Sequence, residues 1–296
     1  MSENKHKSGF VNIIGNPNVG KSTLMNALVG ERLSIITSKA QTTRHRILGI
    51  VNGDAFQIVY SDTPGILNPK YKLQESMLKF VNTAFVDADV ILYVTDVKET
   101  IDKHEKYIAR LSKSSAPILL ILNKIDLSNQ GELEQKVAVW KKTLPQAEII
   151  PISALEKFNL GIIFDRILEL LPEGPGFYPK DALTDKTERF FIEEIIREKI
   201  LLNYQKEIPY SVEVLVETFE EEEKIVKIRA AIFVARDSQK GIIIGHKGKM
   251  LKKVGTDARK DIEEFLDKQI FLELFVKVKK DWRDNKNLLK GFGYEG

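Results

Sequence analysis

The side chains with chemical potential come in short sets at particular spacings. Gly15-Asn16-Pro17-Asn18-Val19-Gly20-Lys21-Ser22 fits the phosphate-loop pattern G-x-x-x-x-G-K-[ST], directly after an apolar run and at the start of a helical stretch. Glycines let backbone N–H groups turn toward phosphate oxygens, and a helix N-terminus adds partial positive charge. Lys21 would reach the β- and γ-phosphates, and the Ser22 hydroxyl would hold Mg²⁺. Asp62-Thr63-Pro64-Gly65 ends the next long apolar run. A carboxylate there can hold Mg²⁺ through a water, and the Gly65 N–H can meet a γ-phosphate. Alone, such a tetrapeptide is an ordinary strand-ending turn; downstream of a phosphate loop it reads as part of the same site.

Asn123-Lys124-Ile125-Asp126 also follows an apolar run. Asp126 can accept from the ring N–H and exocyclic amine of guanine. Adenine offers no matching donor pair, so a buried carboxylate would reject it. Asn123 can bind the base edge while the Lys124 stem packs along its face. Ser153-Ala154-Leu155 would close over the base with backbone N–H groups, although that tripeptide alone carries no information.

The elements that must place these groups are legible in the pattern of apolar runs. Residues 10–15, 56–63, 90–96, 118–124 and 148–153 read as strands, most of them nearly continuous in Ile, Leu and Val, as strands covered on both faces are. Helical stretches at 22–28, 74–86, 105–113 and 132–143 lie between most of them. This alternation predicts a doubly wound, mostly parallel α/β sheet, with ligands at the carboxyl ends of its strands.

Composition removes other chemistries. The 296 residues are 43% hydrophobic and 29% charged, with a net charge of +3. There is no cysteine, which excludes disulfides, thiolate metal sites and a Cys nucleophile. The four histidines lie far apart in sequence, so no metal-ligand spacing is present. No apolar run approaches a membrane span, and the N-terminal MSENKHKSGF lacks the apolar stretch of an export signal. A cytoplasmic chain is expected, with peripheral membrane contact still open.

Pro172–Lys180, with three prolines and two glycines, reads as a linker, dividing the chain into 1–172, a linker at 173–180, and 181–296. The second part reads as helix 188–204, strands 211–218 and 224–236 joined at an acidic turn, two helical pieces on either side of Gly245, and strand 271–279. Its α-β-β-α-α-β order predicts a small α+β domain. Gly245-His246-Lys247-Gly248 sits at its centre. Between Arg236 and Lys260 there are eight Lys or Arg against two Asp, although charges balance over the domain as a whole. Small residues let this loop approach phosphates, and a local basic patch is the footprint of a phosphate-backbone binder. Arg236, Lys240, Gly245, His246, Lys247, Gly248, Lys249, Lys252 and Lys253 are the candidate RNA contacts. Trp282, in a charged stretch, is expected at a surface or interdomain contact.

Four signals at strand ends, in this order, resemble the GTP-binding domains of translation-factor-like GTPases. Between the first two lies Ser38–Gly49, whose QTTRHR is similar to the switch segment of the Era family. The hydroxyl of Thr43, or of Thr42, would complete the Mg²⁺ shell. Ras-type proteins carry a water-orienting Gln where this chain has Ile66, which predicts slow intrinsic hydrolysis. Several GTPases resembling this one use the residue equivalent to Asn18 to bind K⁺, making Asn18 a candidate K⁺ ligand. IIIGHKGKMLKKVG at 242–255 resembles the loop of a type II KH domain, whose G-x-x-G clamps single-stranded RNA.

The whole chain thus resembles the Era family: a P-loop GTPase domain followed by a type II KH domain. The resemblance implies the nucleotide-binding set Gly15–Ser22, Asp62–Ile66, Asn123–Asp126 and Ser153–Leu155. It also implies Lys21, Thr43 and Gly65 in the hydrolytic machinery, and Ser22, Thr43 and Asp62 around Mg²⁺. The implied partners are GTP and GDP, the 3′ end of 16S ribosomal RNA, the 30S subunit during its assembly, and peripherally the cytoplasmic face of the membrane. A monomer is expected. The alternative is a membrane-associated regulatory G protein whose KH-like domain binds protein or lipid.

Overall fold

The computed structural model describes residues 6–39 and 41–294. Met1–Lys5, at the head of the stretch read for an export signal, lie outside the described residues, as do Ala40 within the switch segment and Glu295–Gly296. The chain forms two compact units. Among the described residues the first takes in 6–36, 43–68 and 77–185; the second takes in 37–39, 41–42, 69–76 and 186–294.

The first unit is built from β1 (Lys7–Gly15), α1 (Lys21–Val29), β2 (Ile47–Asn52), β3 (Phe56–Asp62), α2 (Lys72–Val86), β4 (Val90–Asp96), α3 (Glu105–Leu111), β5 (Ile118–Asn123), α4 (Gln130–Thr143), β6 (Glu148–Pro151) and α5 (Leu160–Leu170). The first turn of α2 groups with the second unit. The sheet order is β2-β3-β1-β4-β5-β6; β2 runs antiparallel to β3 and the other pairs are parallel. Every residue of β4 and β5 is buried, which is why those runs are apolar up to their polar carboxyl ends. Ile14, Ile91, Tyr93, Leu120 and Trp140 share one core with Val81 of α2. Ile13 pairs with Asp62, and Asp96 with Asn123. The polar residues that end these strands therefore gather along one edge of the sheet.

β2 and α5 extend the elements expected from the sequence. β2 begins at Ile47, inside the stretch read as a switch loop. The Pro- and Gly-rich segment also differs from a free linker. Gly174 N–H donates to His6 O at 3.0 Å, Ser8 Oγ to Pro175 O at 2.6 Å, and Gln57 Oε1 accepts from Phe177 N and Tyr178 N at 2.6 and 2.9 Å. Phe177 packs on Phe10 with ring centroids 5.0 Å apart. These bonds hold residues 173–180 on the first unit, which continues to Asp185.

The second unit contains α6 (Glu188–Asn203), α7 (Ile208–Ser211), β7 (Glu213–Glu221), β8 (Val226–Val234), α8 (Asp237–Ile244), α9 (Lys249–Leu266), β9 (Ile270–Val278) and α10 (Lys286–Gly291). β8 pairs antiparallel with β7 and parallel with β9. Ile192, Ile196 and Ile200 of α6 share a core with Val254, Ala258 and Ile262 of α9, and with alternate residues of the strands. Trp282 is a correction to the sequence reading. It is fully buried, donates Nε1–H to Ser211 O at 3.2 Å, and meets Phe292 edge-on at 5.7 Å. Its charged neighbours concealed this, because the partner that buries it is 71 positions away.

Candidate functional site

α1 opens at Gly20, which takes a left-handed φ of 96°. A Cβ there would stand 2.3 Å from Asn123 Nδ2, so only glycine fits. Among the described residues no side chain caps this helix end, which leaves its first N–H groups without a capping side chain. Lys21 is buried at 6% exposure and donates to Asn16 O at 2.8 Å. Burial pulls its ammonium down to about 8, against the opposing pull of Asp62 and Glu99. Gly65 lies against the loop; a Cβ at Gly65 would come within 2.8 Å of Pro17 Cα. Thr63 Oγ1 donates to Ile13 O at 2.8 Å, which ties the end of β3 to β1. Ile66 N–H donates to Gly15 O at 3.2 Å while its side chain is buried with Val81 and Ile14.

Three oxygens meet where Mg²⁺ is expected. Ser22 Oγ lies 2.9 Å from Thr43 Oγ1 and donates to Asp62 Oδ2 at 2.7 Å; Thr43 Oγ1 donates to the same oxygen at 3.3 Å. Asp62 is fully buried and, among the described residues, its other oxygen, Oδ1, has no hydrogen-bond partner. Burial raises this carboxyl above the ordinary carboxylate range, opposed by Lys21 and the hydroxyls. A buried carboxylate with an oxygen to spare, beside two hydroxyls, fits a hard cation. Thr42 is elsewhere: its Oγ1 donates to Lys39 O at 2.6 Å and lies 2.7 Å from Thr37 Oγ1. The geometry brings Thr43, and not Thr42, to Ser22 and Asp62.

Beyond the end of β5, Asp126 Oδ1 accepts from Ser153 Oγ at 2.6 Å. Asn123 is also held by partners within the protein. Its Nδ2 donates to Val19 O at 2.8 Å, and its Oδ1 accepts from Lys124 N at 2.8 Å and Ala154 N at 3.0 Å. Asn123 therefore braces three loops with its polar atoms. Lys124, at φ 62°, donates to Asn18 O at 2.5 Å and pairs with Asp96 at 2.8 Å. Asn18 also adopts a left-handed φ, of 64°. Ile125 N–H donates to Ile152 O at 3.2 Å, and Leu155 is exposed.

Two residues of this site were not singled out from the sequence. Glu99 accepts from Asn16 Nδ2 at 2.9 Å and from Thr95 Oγ1 at 3.0 Å, and lies 3.3 Å from Nε2 of the buried His104. Asp96 holds Lys124. The signal was present for Asp96, a carboxylate closing the largely apolar run of β4. None marked Glu99, which lies in a turn beyond the strand.

In the second unit, Gly245 (φ 69°) and Gly248 (φ 75°) flank exposed His246 and Lys247, and Lys247 is itself left-handed at φ 50°. Gly245 also approaches Met250 closely enough to exclude a side chain. Lys249, Lys252 and Lys253 of α9 are exposed, as is Arg236, while Lys240 is half-buried. Gly248, Leu251, Lys252 and Arg259 line a groove of about 500 Å³ whose other wall is Leu272 and Leu274 of β9. It is apolar at its floor and cationic at its rim. Among the described residues no helix is long and apolar enough to cross a membrane, and no cluster of three His, Asp or Glu is placed to hold a metal.

Comparison with known proteins agrees with both units. The family described as 50S ribosome-binding GTPase matches residues 10–124, and the KH domain family matches residues 207–283. The GTPase Era of Geotalea daltonii is 47% identical over 297 residues, spanning all of both chains. That of Syntrophus aciditrophicus is 48% identical over 97% of this chain and 95% of its own. The crystal structure of an Aquifex aeolicus Era variant bound to GDP·AlF4⁻ is 38% identical, with a TM-score of 0.93 over 98% of this chain and 100% of that one. A structure of Era with MgGDPNP and nucleotides 1506–1542 of 16S ribosomal RNA has the same TM-score of 0.93 at 38% identity. The chain belongs to the Era family of GTPases, with a P-loop GTPase domain followed by a KH domain.

Proposed function

We propose that this protein is a GTP-hydrolysing switch that binds the 3′ end of 16S ribosomal RNA through its KH domain and acts in assembly of the small ribosomal subunit. The observation that carries the reading is the pairing, on one chain, of the Ser22–Thr43–Asp62 cluster with a G-x-x-G loop beside a cationic groove. The solved Era complex that holds both MgGDPNP and 16S nucleotides supports it.

In this reading Ser22 and Thr43 would hold Mg²⁺, and Asp62 would serve it through a water. The cation supplies charge that offsets the phosphate oxygens. Lys21 leaves Asn16 O for the β- and γ-phosphates, and the Gly65 N–H, seated against Pro17, meets the γ-phosphate. Asp126, oriented by Ser153, selects guanine, and Ser153–Leu155 cover the base. Thr43 and Gly65 each belong to a segment that γ-phosphate contacts would order and hydrolysis would release. Ile66 is buried in the core and orients no water, which supports slow intrinsic hydrolysis. Asn18 is the K⁺ ligand in this reading; equal hydrolysis rates in sodium and potassium buffers would remove that role.

RNA lies along Gly245–Gly248 with its backbone near Arg236, Lys240, His246, Lys247, Lys249, Lys252 and Lys253, and its bases in the groove above Leu272 and Leu274. The protein works in the cytoplasm with the ribosome, and its basic face permits peripheral attachment to an anionic membrane. The test is salt-dependent binding of a 16S 3′-terminal RNA. Affinity should fall steeply with salt and drop at least about tenfold for Gly245→Asp with Gly248→Asp. Binding that ignores both salt and substitution would favour a protein-binding regulatory G protein instead.

A further inference from the structure

Residues 37–39, 41 and 42, at and just before the start of the switch segment, pack within the second unit, and the end of α6 holds Lys39 and Thr42. Lys39 Nζ donates to the carbonyls of Leu201 and Tyr204. Arg197, fully buried and bidentate to Glu194 at 2.6 Å, donates to Thr42 O. Carbonyls at a helix C-terminus lack partners within the helix and carry the negative end of its dipole, so an ammonium suits them. The next residue along the chain from Thr42 is Thr43, whose hydroxyl lies 2.9 Å from Ser22.

The same turn of α6 reaches the approach to the G-x-x-G loop. Tyr204, 4% exposed, donates its hydroxyl to Ile243 O at 2.6 Å, two residues before Gly245. Burial pushes the phenol up to about 12, so it remains a donor at neutral pH. One turn earlier, Lys199 pairs with Asp261 of α9, the helix that the loop opens. Tyr204 therefore meets the switch segment with its carbonyl and the RNA loop's support with its side chain.

We propose that Tyr204 is a positioning residue that transmits the state of the switch segment to the G-x-x-G loop, with Lys39 at one end of the link and Ile243 at the other. This rests on the reading of 38–46 as the γ-phosphate-sensing segment. With Lys39 seated, the end of α6 is capped and the Tyr204 phenol is fixed against Ile243 O. When hydrolysis releases the segment, the cap is lost and the terminal turn frays, which loosens α8 just before Gly245. Both sites bias one element, so the coupling is reciprocal: RNA on the loop shifts nucleotide affinity by the same factor that nucleotide shifts RNA affinity.

The experiment uses the full chain as wild type, Tyr204→Phe, Lys39→Met and the double variant, each with GDP and with GDPNP. Hydrogen exchange at amides 245–249 is read alongside affinity for a 16S 3′-terminal RNA. Wild type should show nucleotide-dependent exchange in the loop and an RNA affinity that differs about tenfold between nucleotides. Tyr204→Phe keeps the ring and its packing, and should bring both differences below about twofold with GTP affinity unchanged. Lys39→Met should do the same from the other end, and the double variant should add nothing. A wild-type loop whose exchange ignores the nucleotide overturns the proposal, as do variants that keep the full difference. If exchange responds as expected but no RNA binds, the link stands and the RNA reading fails.

Discussion

Asn123 Nδ2 donates to Val19 O at 2.8 Å, which joins the end of β5 to the loop between β1 and α1. With Oδ1 accepting from both Lys124 N and Ala154 N, one side chain fixes three loops. Its removal should act on the whole pocket, whereas removal of Asp126 should act on base identity.

Asn123→Ala should therefore weaken GDP and GTP alike, by about 10- to 100-fold for the loss of buried hydrogen bonds. Asp126→Ala should instead reduce the preference for guanine over adenine nucleotides by at least about 100-fold, the penalty of an unread polar edge having gone. Competition between labelled GDP and unlabelled ADP separates the two. Equal discrimination in both variants would contradict the division of labour.

Thr43 and Thr42 are adjacent in sequence and distinct in placement. Thr43→Ala should raise the Mg²⁺ concentration needed for GTP binding by at least about tenfold, the usual scale for losing a group from a metal's surroundings. Thr42→Ala should leave it within about twofold, because its hydroxyl bonds within 37–42. Magnesium titrations of the two variants check this.

Lys21, pulled down to about 8 by burial, should gain a proton when phosphates arrive, since their charge raises its pKa. The sign follows from linkage: the bound form holds more protons, so affinity falls as pH rises past 8, toward about tenfold per unit. Calorimetry at pH 8.5 in buffers of different ionisation enthalpy should detect proton uptake. Lys21→Met should show none.

Glu193 of α6 accepts from Val216 N at 2.8 Å, and burial first, then Glu213 and Glu194, push its carboxyl up to about 7. Its folded pKa lies above its unfolded value, so it favours folding below about pH 4.5 and that contribution is lost as pH rises through 7. Glu193→Gln should stabilise the protein at pH 8 by about 1 kcal/mol or more and leave it little changed at pH 4.5. Chemical denaturation at the two pH values tests the sign.

The loop before α1, Asp62 and Asp126 stood out as candidates because each lies at or just beyond the end of a buried, largely apolar strand. β2 did not, since ILGIVN adjoins the basic QTTRHR and an edge strand makes weaker demands on its sequence. Choosing Thr43 over Thr42 needed coordinates: one residue along the chain reverses which way a hydroxyl points. The role of Asn123 as a brace and the burial of Trp282 were also hidden. Both depend on partners far along the chain, Val19 and Ser211, which no local pattern names.

The proposed switch couples a guanine nucleotide to an RNA through one chain. The most direct measurement is the affinity of the purified protein for the 3′-terminal segment of 16S ribosomal RNA, with GDP and with a non-hydrolysable GTP analogue. Tight binding that favours the GTP state by about tenfold is the predicted result. Weak binding of equal strength in both states would contradict it.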